Sequence, residues 1–391
     1  MQYRFSKNIE NTPKSFIREI LKLTQTPEII SFAGGLPNKK YFPVEEMREA
    51  TNRVLSTGGD ALQYSTTEGY LPLRQYISDR YKLRGLDIPV DEILIVSGSQ
   101  QALDLIAKVF IDTDDSIIIE EPSYLGAIQA FTLFRPQFHA VKLEDDGVDT
   151  VALEETINRT KAKIFYTTPN FQNPTGLTYS LEKRIKTTDV LKRTETVFVE
   201  DDPYGELRFI GEHLPTLKSF AHDNGILLGS FSKVVAPGLR LGWVCANKII
   251  MDKLVTAKQA ADLHTNYFAQ RVIHQYLTDN SIDTYIKKIS DGYKGQRQAM
   301  VEALKKEMPA GIKFTEPEGG MFLWVTLPES CKAMDLFHIA TKHKVAFVPG
   351  EPFYADGRSS NAMRLNYSCS DEETIRIGVK RLADAIKEYM G

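Results

Sequence analysis

Short apolar runs alternate with helical patterns between about residue 90 and residue 250. The runs are rich in Val, Ile and Phe, and they lie at residues 92–96, 116–120, 163–168, 196–200, 226–230 and 241–246. After the first run, Leu103, Ile106 and Phe110 recur at three- and four-residue intervals, which predicts a helix with one apolar stripe. Strands that are buried on both faces and separated by helices are typical of a mainly parallel sheet. The pattern therefore predicts an α/β fold and disfavours a helical bundle or a β-sandwich.

The pattern changes from residue 248 onward. Long polar-rich helical stretches are followed by three short strand-like runs, GGMFLWVTL, KVAFVPG and NAMRLNYS, and by a terminal amphipathic helix. These elements predict a smaller α+β domain, and a chain of 391 residues is long enough to divide into two domains. We expect an N-terminal arm at residues 1–40 that joins the smaller domain, a large domain at residues 41–280 and a C-terminal small domain at residues 281–391.

Composition and charge exclude several classes of protein. With 42% hydrophobic and 25% charged residues, the chain is neither a disordered protein nor a fibre. Lys and Arg (48) nearly balance Asp and Glu (51), so no strong overall charge attracts nucleic acid or an anionic membrane. The sequence shows no signal-like start and no apolar segment of about 18 residues, which predicts a cytoplasmic protein without membrane spans. Three dispersed cysteines and seven histidines without ligand spacing predict neither disulfides nor a metal site.

Polar and charged residues follow several predicted strands, at the sheet edge where open α/β sheets bind ligands. Ser99 and Gln100 open the helix after the first strand, where free N–H groups suit a phosphate, although Ser99 can equally be a simple helix cap. Three further predicted strands are followed by a turn-rich connection at residues 169–176, by Asp201 and by Lys233, respectively. Each feature alone also has an ordinary explanation as a turn, a cap or a surface charge.

Together these features match the chemistry of pyridoxal phosphate. An amine such as that of Lys233 can hold the aldehyde as a Schiff base, and a carboxylate such as that of Asp201 can keep the pyridine nitrogen protonated. The start of the helix can bind the phosphate. A lysine beside a buried strand and near Arg240 has its ammonium form disfavoured, which makes its amine a nucleophile.

At these positions the sequence resembles the fold type I pyridoxal-phosphate aminotransferases of class I/II, over essentially the whole chain. It is most similar to their 2-aminoadipate and kynurenine/2-aminoadipate aminotransferase branch. The matching segments, in the same order, include ISFAGGLP, GSQQALDL, EPSYLGAIQAF, NFQNPTG, VEDDPYGEL and GSFSKVVAPGLRLGW. The resemblance implies that the large domain binds pyridoxal phosphate and that two copies of the chain form a homodimer with shared active sites.

The resemblance also implies roles for individual residues. Lys233 forms the Schiff base and shuttles a proton, and Asp201 pairs with the pyridine nitrogen. Tyr204 and Asn173 bind the phenolic oxygen of the ring, and Tyr124 stacks on the ring face. The residues implied to bind the phosphate are Ser99, Gln100, Ser230, Ser232 and Arg240, together with Tyr64 of the partner subunit.

Substrate binding is implied for residues from both ends of the chain. Arg364, with Asn173, grips the substrate α-carboxylate, a task for which a planar guanidinium with paired donors is well suited. Gly35 lies in the segment that the family folds over the substrate. We hypothesise that Arg18, on a mobile N-terminal helix, meets a distal carboxylate or withdraws for an apolar side chain, so that one pocket accepts both kinds of amino acid.

The implied reaction is ping-pong transamination, in which an L-amino acid donates its amino group and 2-oxoglutarate accepts it. 2-Aminoadipate is the expected donor, with broader activity on aromatic and branched-chain donors. Two alternatives remain open: a β-eliminating pyridoxal-phosphate lyase on the same scaffold, and a pyridoxal-phosphate-binding regulatory protein. Only about thirty residues precede ISFAGGLP, where such regulators carry a DNA-binding domain, so the sequence favours an enzyme.

Overall fold

The computed structural model describes residues 3–10, 12, 26 and 28–391. The helices, in chain order, are α1 (Lys7–Glu10), α2 (Val44–Ser56), α3 (Leu71–Lys82), α4 (Ser99–Phe110), α5 (Leu125–Thr132), α6 (Thr150–Thr160), α7 (Leu181–Arg193), α8 (Lys248–Asp262), α9 (Tyr267–Asp279), α10 (Ile282–Glu307), α11 (Ala333–Lys342) and α12 (Glu372–Met390). The strands are β1 (Ile30–Ser31), β2 (Ile93–Val96), β3 (Ser116–Glu121), β4 (Gln137–Glu144), β5 (Gly147–Val148), β6 (Ile164–Thr167), β7 (Val197–Asp201), β8 (Gly225–Ser230), β9 (Gly242–Cys245), β10 (Lys313–Phe314), β11 (Phe322–Thr326), β12 (Val345–Ala346), β13 (Val348–Pro349) and β14 (Ala362–Asn366). The predicted α/β fold class is confirmed.

An eight-stranded sheet organises the larger part of the molecule, with the strand order β2-β9-β8-β7-β6-β3-β4-β5. Six of these strands run parallel, and β5 and β9 run antiparallel to their neighbours. Because parallel strands share one direction, the carboxyl ends of β2, β3, β6, β7 and β8 meet at one edge of the sheet. The prediction of a mainly parallel sheet is confirmed.

Helices cover both faces of this sheet, as its alternating side chains require. On one face, Ile119 and Val199 belong to an apolar cluster with residues of α4, α5 and α8. On the other face, the adjacent residues Ile118 and Phe198 pack with residues of α6 and α7. Neighbouring residues of one strand therefore lie in different cores.

Two smaller sheets are built mainly from the C-terminal part of the chain. One has the order β10-β11-β14-β13 and is antiparallel, with Arg364 of β14 paired to Trp324 of β11 and Val348 of β13. In the other, β1 runs parallel to β12, and Ile30 pairs with Val345. This pairing ties the N-terminal segment to the C-terminal elements.

β4 is a long strand that the pattern of apolar runs in the sequence did not predict. Among its eight residues, Val141 and Leu143 are the buried ones, and their neighbours are exposed. β4 lies next to the last strand of the sheet, so it has one solvated face and an alternating pattern rather than a continuous apolar run. Apolar runs reveal strands that are buried on both faces, and they miss this one.

Candidate active site

A cavity of about 550 Å³ opens at the carboxyl edge of the large sheet. The predicted site residues that line it are Gly35, Ser99, Gln100, Tyr124, Asn173, Asp201, Tyr204, Ser230, Ser232, Lys233, Arg240 and Arg364. Tyr64 does not line the cavity, and 79% of its surface is exposed. Arg18 lies outside the described residues. The structure thus brings together all but these two of the residues predicted to form the site.

The start of α4 forms one end of the cavity. Gly98 precedes the helix with φ of 80°, and a Cβ at this position would lie 2.7 Å from Nη2 of Arg240. Ser99 is the first residue of the helix, so its interpretation as the helix cap is wrong. Its buried Oγ has no hydrogen-bond partner among the described residues. Free N–H groups, an unpartnered hydroxyl and a guanidinium suit a phosphate.

The turn from β8 into β9 brings two serines and an arginine to the same end. Ser232 donates its backbone N–H to Oγ of Ser230 at 3.0 Å. Because β9 runs antiparallel to β8, its first residues return to the carboxyl edge, where Nη2 of Arg240 donates to the carbonyl oxygen of Ser97 at 3.2 Å. Gln100 also lines this end, and its Nε2 donates to the carbonyl oxygen of Gly126 at 2.9 Å.

Lys233 follows β8 and lines the cavity. Its Nζ donates to the carbonyl oxygen of Gly35 at 2.8 Å. Burial, together with the positive charge of Arg364, lowers the pKa of the Lys233 amine to about 8. The neutral amine is therefore accessible near neutral pH, and this is the form that adds to an aldehyde.

Asp201 ends β7, and it is 3% exposed. Its Oδ2 accepts a hydrogen bond from the hydroxyl of Tyr166 at 2.8 Å, whereas its buried Oδ1 has no partner among the described residues. Burial raises the pKa of the Asp201 carboxyl to about 7. The next residue, Asp202, accepts from Nδ2 of Asn170 at 3.0 Å and from the N–H of Gly205 at 2.9 Å, so its role is to shape the loop.

A buried arginine lies across the cavity from these strand ends. Nη1 of Arg364 donates to Oδ1 of Asn173, and Nη2 donates to the carbonyl oxygen of Ala33, each at 2.8 Å. The guanidinium lies 4.3 Å from the ring centre of Phe322. Burial lowers the pKa of Arg364 to about 10. Tyr204 packs edge-on against Phe322, with ring centres 5.8 Å apart. These contacts fix the plane of a guanidinium that can bind a carboxylate.

The sequence reasoning missed the buried groups that anchor the loop at residues 169–176. Oε1 of Glu120 accepts from the hydroxyls of Thr167 and Tyr179, each at 2.6 Å, and Oε2 accepts from Nε2 of Gln172 at 3.0 Å. Gln172 directly precedes Asn173, so this network sets the position of the amide that lines the cavity. The acidic residue at the end of the apolar run SIIIE was the available signal.

Neither a metal site nor a membrane span is present in the described part of the chain. Residues 3–10, 12, 26 and 28–391 contain no group of three or more His, Cys, Asp or Glu side chains that could hold a metal ion. Among the same residues, no helix is both long enough and apolar enough to cross a bilayer.

The residues of the cavity fit pyridoxal phosphate. Oγ of Ser99 and Oδ1 of Asp201 are buried and have no partner among the described residues, so they have capacity left for a phosphate and for a protonated ring nitrogen. The amine of Lys233 lines the same cavity. The three groups thus supply the anion site, the acid and the amine that this cofactor requires.

Comparisons with known proteins agree with this geometry. An aromatic-amino-acid aminotransferase of Thermococcus litoralis is 44% identical over 99% of this chain and 94% of its own length. A 2-aminoadipate transaminase of Thermus thermophilus is 45% identical over 98% of this chain and 96% of its own. A kynurenine aminotransferase of Pyrococcus horikoshii, solved in complex with PMP, superimposes with a TM-score of 0.95 at 43% identity, covering 99% of this chain and 98% of that one. The family described as aminotransferase class I and II matches residues 28–382. The chain therefore belongs to the class I and II aminotransferases and is a pyridoxal-phosphate-dependent enzyme of that family.

Proposed function

We propose that this enzyme transfers the amino group of an L-amino acid to 2-oxoglutarate in a ping-pong reaction. In this proposal 2-aminoadipate is the preferred donor, and aromatic and branched-chain amino acids are further donors. The relatives support this range, since their names include 2-aminoadipate, aromatic-amino-acid and kynurenine aminotransferases. The observation that carries the proposal is that Lys233, Asp201 and Arg364 line one cavity, because they supply an amine, an acid and a carboxylate receptor together.

Four residues would bind and serve the reacting part of the cofactor. When bound, pyridoxal phosphate supplies an aldehyde for the amino group and a ring that withdraws electrons from the substrate α-carbon. Nζ of Lys233 would hold the aldehyde, and it would then serve as the base and acid that moves the proton of the substrate α-carbon. Oδ1 of Asp201 would accept a hydrogen bond from the protonated ring nitrogen. Tyr204 and Asn173 would hydrogen-bond the phenolic oxygen.

The remaining cofactor contacts are those of the ring face and the phosphate. Tyr124, at the start of α5, lines the cavity and would cover the ring face. The phosphate would bind at the start of α4, where the helix N–H groups and the guanidinium of Arg240 attract negative charge. The side chains proposed to bind it are Ser99, Gln100, Ser230, Ser232 and Arg240.

Arg364 would bind the substrate α-carboxylate, with Asn173 and Gly35 beside it. Its two terminal nitrogens already donate hydrogen bonds to oxygen atoms, and the ring of Phe322 fixes the plane of the guanidinium. A fixed planar fork orients a carboxylate more narrowly than a flexible ammonium does. The substrate α-carbon is thereby directed toward Nζ of Lys233, which takes its proton.

Borohydride reduction of the holoenzyme, followed by peptide mass spectrometry, tests the role of Lys233. We expect a cofactor adduct on Lys233 and none on Lys218. Lys218 is an internal control because it is also buried, but its Nζ donates to the carbonyl oxygens of His222 and Gly225 at 2.8 and 2.9 Å. An enzyme that retains full transaminase activity without an adduct on Lys233 would contradict the proposal.

A panel of amino donors with 2-oxoglutarate as acceptor, scored by kcat/KM, tests the substrate range. We expect 2-aminoadipate to rank first. Arg18→Ala is expected to lower kcat/KM for 2-aminoadipate and to leave that for leucine nearly unchanged, because only the former carries a distal carboxylate. Equal losses for both donors would remove Arg18 from substrate selection.

We also propose that two copies of this chain form the working enzyme. Tyr64 is 79% exposed and does not line the cavity of its own chain. Its ring packs edge-on against His264, with ring centres 5.8 Å apart, so the phenol lies at the surface. Tyr64 would contact the phosphate in the partner subunit.

Mixing the Tyr64→Ala and Lys233→Ala chains after unfolding and refolding tests this sharing of residues between subunits, because each mixed dimer contains one complete site. We expect activity above that of either variant alone. No recovery in a preparation that light scattering shows to be dimeric would contradict shared sites.

A further inference from the structure

Tyr166 lies one strand away from Asp201 and reaches it diagonally across the sheet. Tyr166 of β6 pairs with Val199 of β7. Because residues two apart on a strand share a face, Asp201 lies on the same side as Val199, one diagonal step from Tyr166. The phenol spans this step, and its hydroxyl donates to Oδ2 of Asp201 at 2.8 Å. The strand register thus determines which oxygen of the carboxylate is occupied.

The two oxygens of Asp201 have different surroundings. Oδ2 holds the hydrogen bond from Tyr166, and the buried Oδ1 has no partner among the described residues. Among the described residues, the hydroxyl of Tyr166 has one other hydrogen-bond partner, Oγ1 of Thr168, at the longer distance of 3.4 Å. Its ring packs edge-on against Phe131, with ring centres 5.8 Å apart, and is fully buried. The buried phenol is thus held in place, and Oδ2 of Asp201 is the nearer of its two polar partners.

The other titratable groups near Asp201 do not favour its charge. Tyr166 on β6 is the group that donates a hydrogen bond to it, which favours the ionised carboxylate, whereas burial and the neighbouring carboxylates favour the protonated acid. The titratable groups that face Asp201 are Tyr166 on β6, Glu120 on β3, Tyr124 at the start of α5, and Asp202 and Tyr204 after β7. The hydroxyl of Tyr166 is therefore the main local support for the anion.

We propose that Tyr166 is a positioning residue, which favours the carboxylate form of Asp201 through Oδ2 and leaves Oδ1 to bind the ring nitrogen of the cofactor. The inference rests on the role proposed above for Asp201. A hydrogen bond donated to a charged acceptor is among the stronger ones in proteins, and it fixes the direction of the carboxylate as well as its charge. Tyr166 thereby acts on the cofactor without touching it.

The test is the dissociation constant of pyridoxamine phosphate, measured by dialysis of the holoenzyme over a range of pH. In Tyr166→Phe we expect binding about tenfold weaker near neutral pH, because a hydrogen bond to a buried charge is lost. As pH falls, we also expect the affinity of Tyr166→Phe to begin to decrease at a higher pH than that of the parent, since its Asp201 carboxylate accepts a proton more readily. This decrease on the acid side is the acid limb of the profile. The decrease in affinity at high pH, which reports deprotonation of the ring nitrogen, should occur at the same pH as in the parent.

Tyr367→Phe is the matched control. Tyr367 is also fully buried, and its hydroxyl donates to the carbonyl oxygen of Gly319 at 2.6 Å, away from any carboxylate. It should lose a comparable amount of thermal stability without moving the acid limb. A Tyr166→Phe enzyme that folds, and whose affinity and acid limb both equal those of the parent, overturns the inference.

A double-mutant cycle separates this inference from the role of Asp201. If Tyr166 acts through Asp201, Tyr166→Phe should change the affinity in the parent but not in an Asp201→Asn background. An equal loss in both backgrounds contradicts the inference even though Asp201 matters. If Asp201→Asn itself leaves the affinity unchanged, the proposed role of Asp201 fails, and the inference falls with it.

Discussion

Glu200 and Asp201 are neighbours on β7, and they point to opposite faces of the large sheet. Both side chains are buried, at 0% and 3% exposure, and burial raises the pKa of each carboxyl to about 7. Their oxygens differ. Those of Glu200 accept the backbone N–H groups of Leu217 and Lys218 at 2.9 and 3.0 Å. Asp201, on the cavity side, keeps one oxygen unpartnered among the described residues.

This difference teaches which property of a buried acid indicates function. Structural and catalytic carboxyls can both have a raised pKa, since burial alone disfavours the charge. A carboxyl whose oxygens are both satisfied by the chain holds the fold together, as Glu200 holds the segment at residues 217–218. A carboxyl with an unpartnered oxygen on a cavity wall has capacity left for a ligand. Two substitutions and one pH experiment can break or sharpen this comparison.

Asp201→Asn should have the largest effect, and the effect should be on activity. The amide keeps the shape of the side chain but cannot carry the charge that stabilises a protonated ring nitrogen. We expect kcat/KM to fall by about 100-fold to 1,000-fold, in the range seen when one preorganised electrostatic contact is removed. Steady-state kinetics with saturating cofactor measures it. A loss of less than about tenfold would place Asp201 with Glu200 among the structural acids.

Glu200→Gln should show the reverse pattern. The side-chain amide can accept only one of the two backbone N–H groups, and its own NH₂ faces the other. We expect the free energy of unfolding to fall by about 1–3 kcal/mol, with kcat/KM close to that of the parent. Denaturant unfolding of the apoenzyme measures the loss. If activity falls as far as in Asp201→Asn while the fold is intact, the two faces of the strand are not functionally distinct.

The smallest expected effect is on the pH dependence of stability. The folded apoenzyme keeps the proton of Asp201 up to about pH 7, whereas the unfolded chain releases it near the ordinary value of 3.8. Asp201 therefore contributes progressively less stability as pH rises from about 4 to about 7, because its carboxyl binds more protons in the folded than in the unfolded state there. Asp201→Asn removes this titration, so the free energy of unfolding of the variant, relative to that of the parent, should rise by at least about 1 kcal/mol between pH 4 and pH 7. Thermal unfolding at pH 5 and pH 7 tests the sign, and a relative stability that falls with pH would contradict it.

The sequence allowed much of the site to be predicted because its residues follow strands. Ser99, Asp201 and Lys233 each stand just after an apolar run or at its end, where the direction of a parallel sheet brings them to one edge. Arg364 is different, since it lies inside the short strand β14 and has no local signal of its own. Its role came only from the family resemblance.

The residues that were missed act through long-range register. Tyr166 and Glu120 lie inside or at the end of buried strands, where an apolar pattern classifies them as core. Whether Tyr166 meets Asp201 depends on which residues of β6 and β7 pair, and a shift by one residue would turn its side chain to the opposite face. Local spacing along the chain does not contain that information. The same holds for β4, whose half-exposed position follows from strand order.

The direction of β9 decides what reaches the anion-binding end of the cavity. β9 is four residues long, so its first and last Cα atoms lie about 10 Å apart. A β9 running parallel to β8 would begin at the far side of the sheet and carry Arg240 there, out of reach of the first turn of α4. Inverting this short strand, with every residue type unchanged, would thus deprive the pocket of a positive charge.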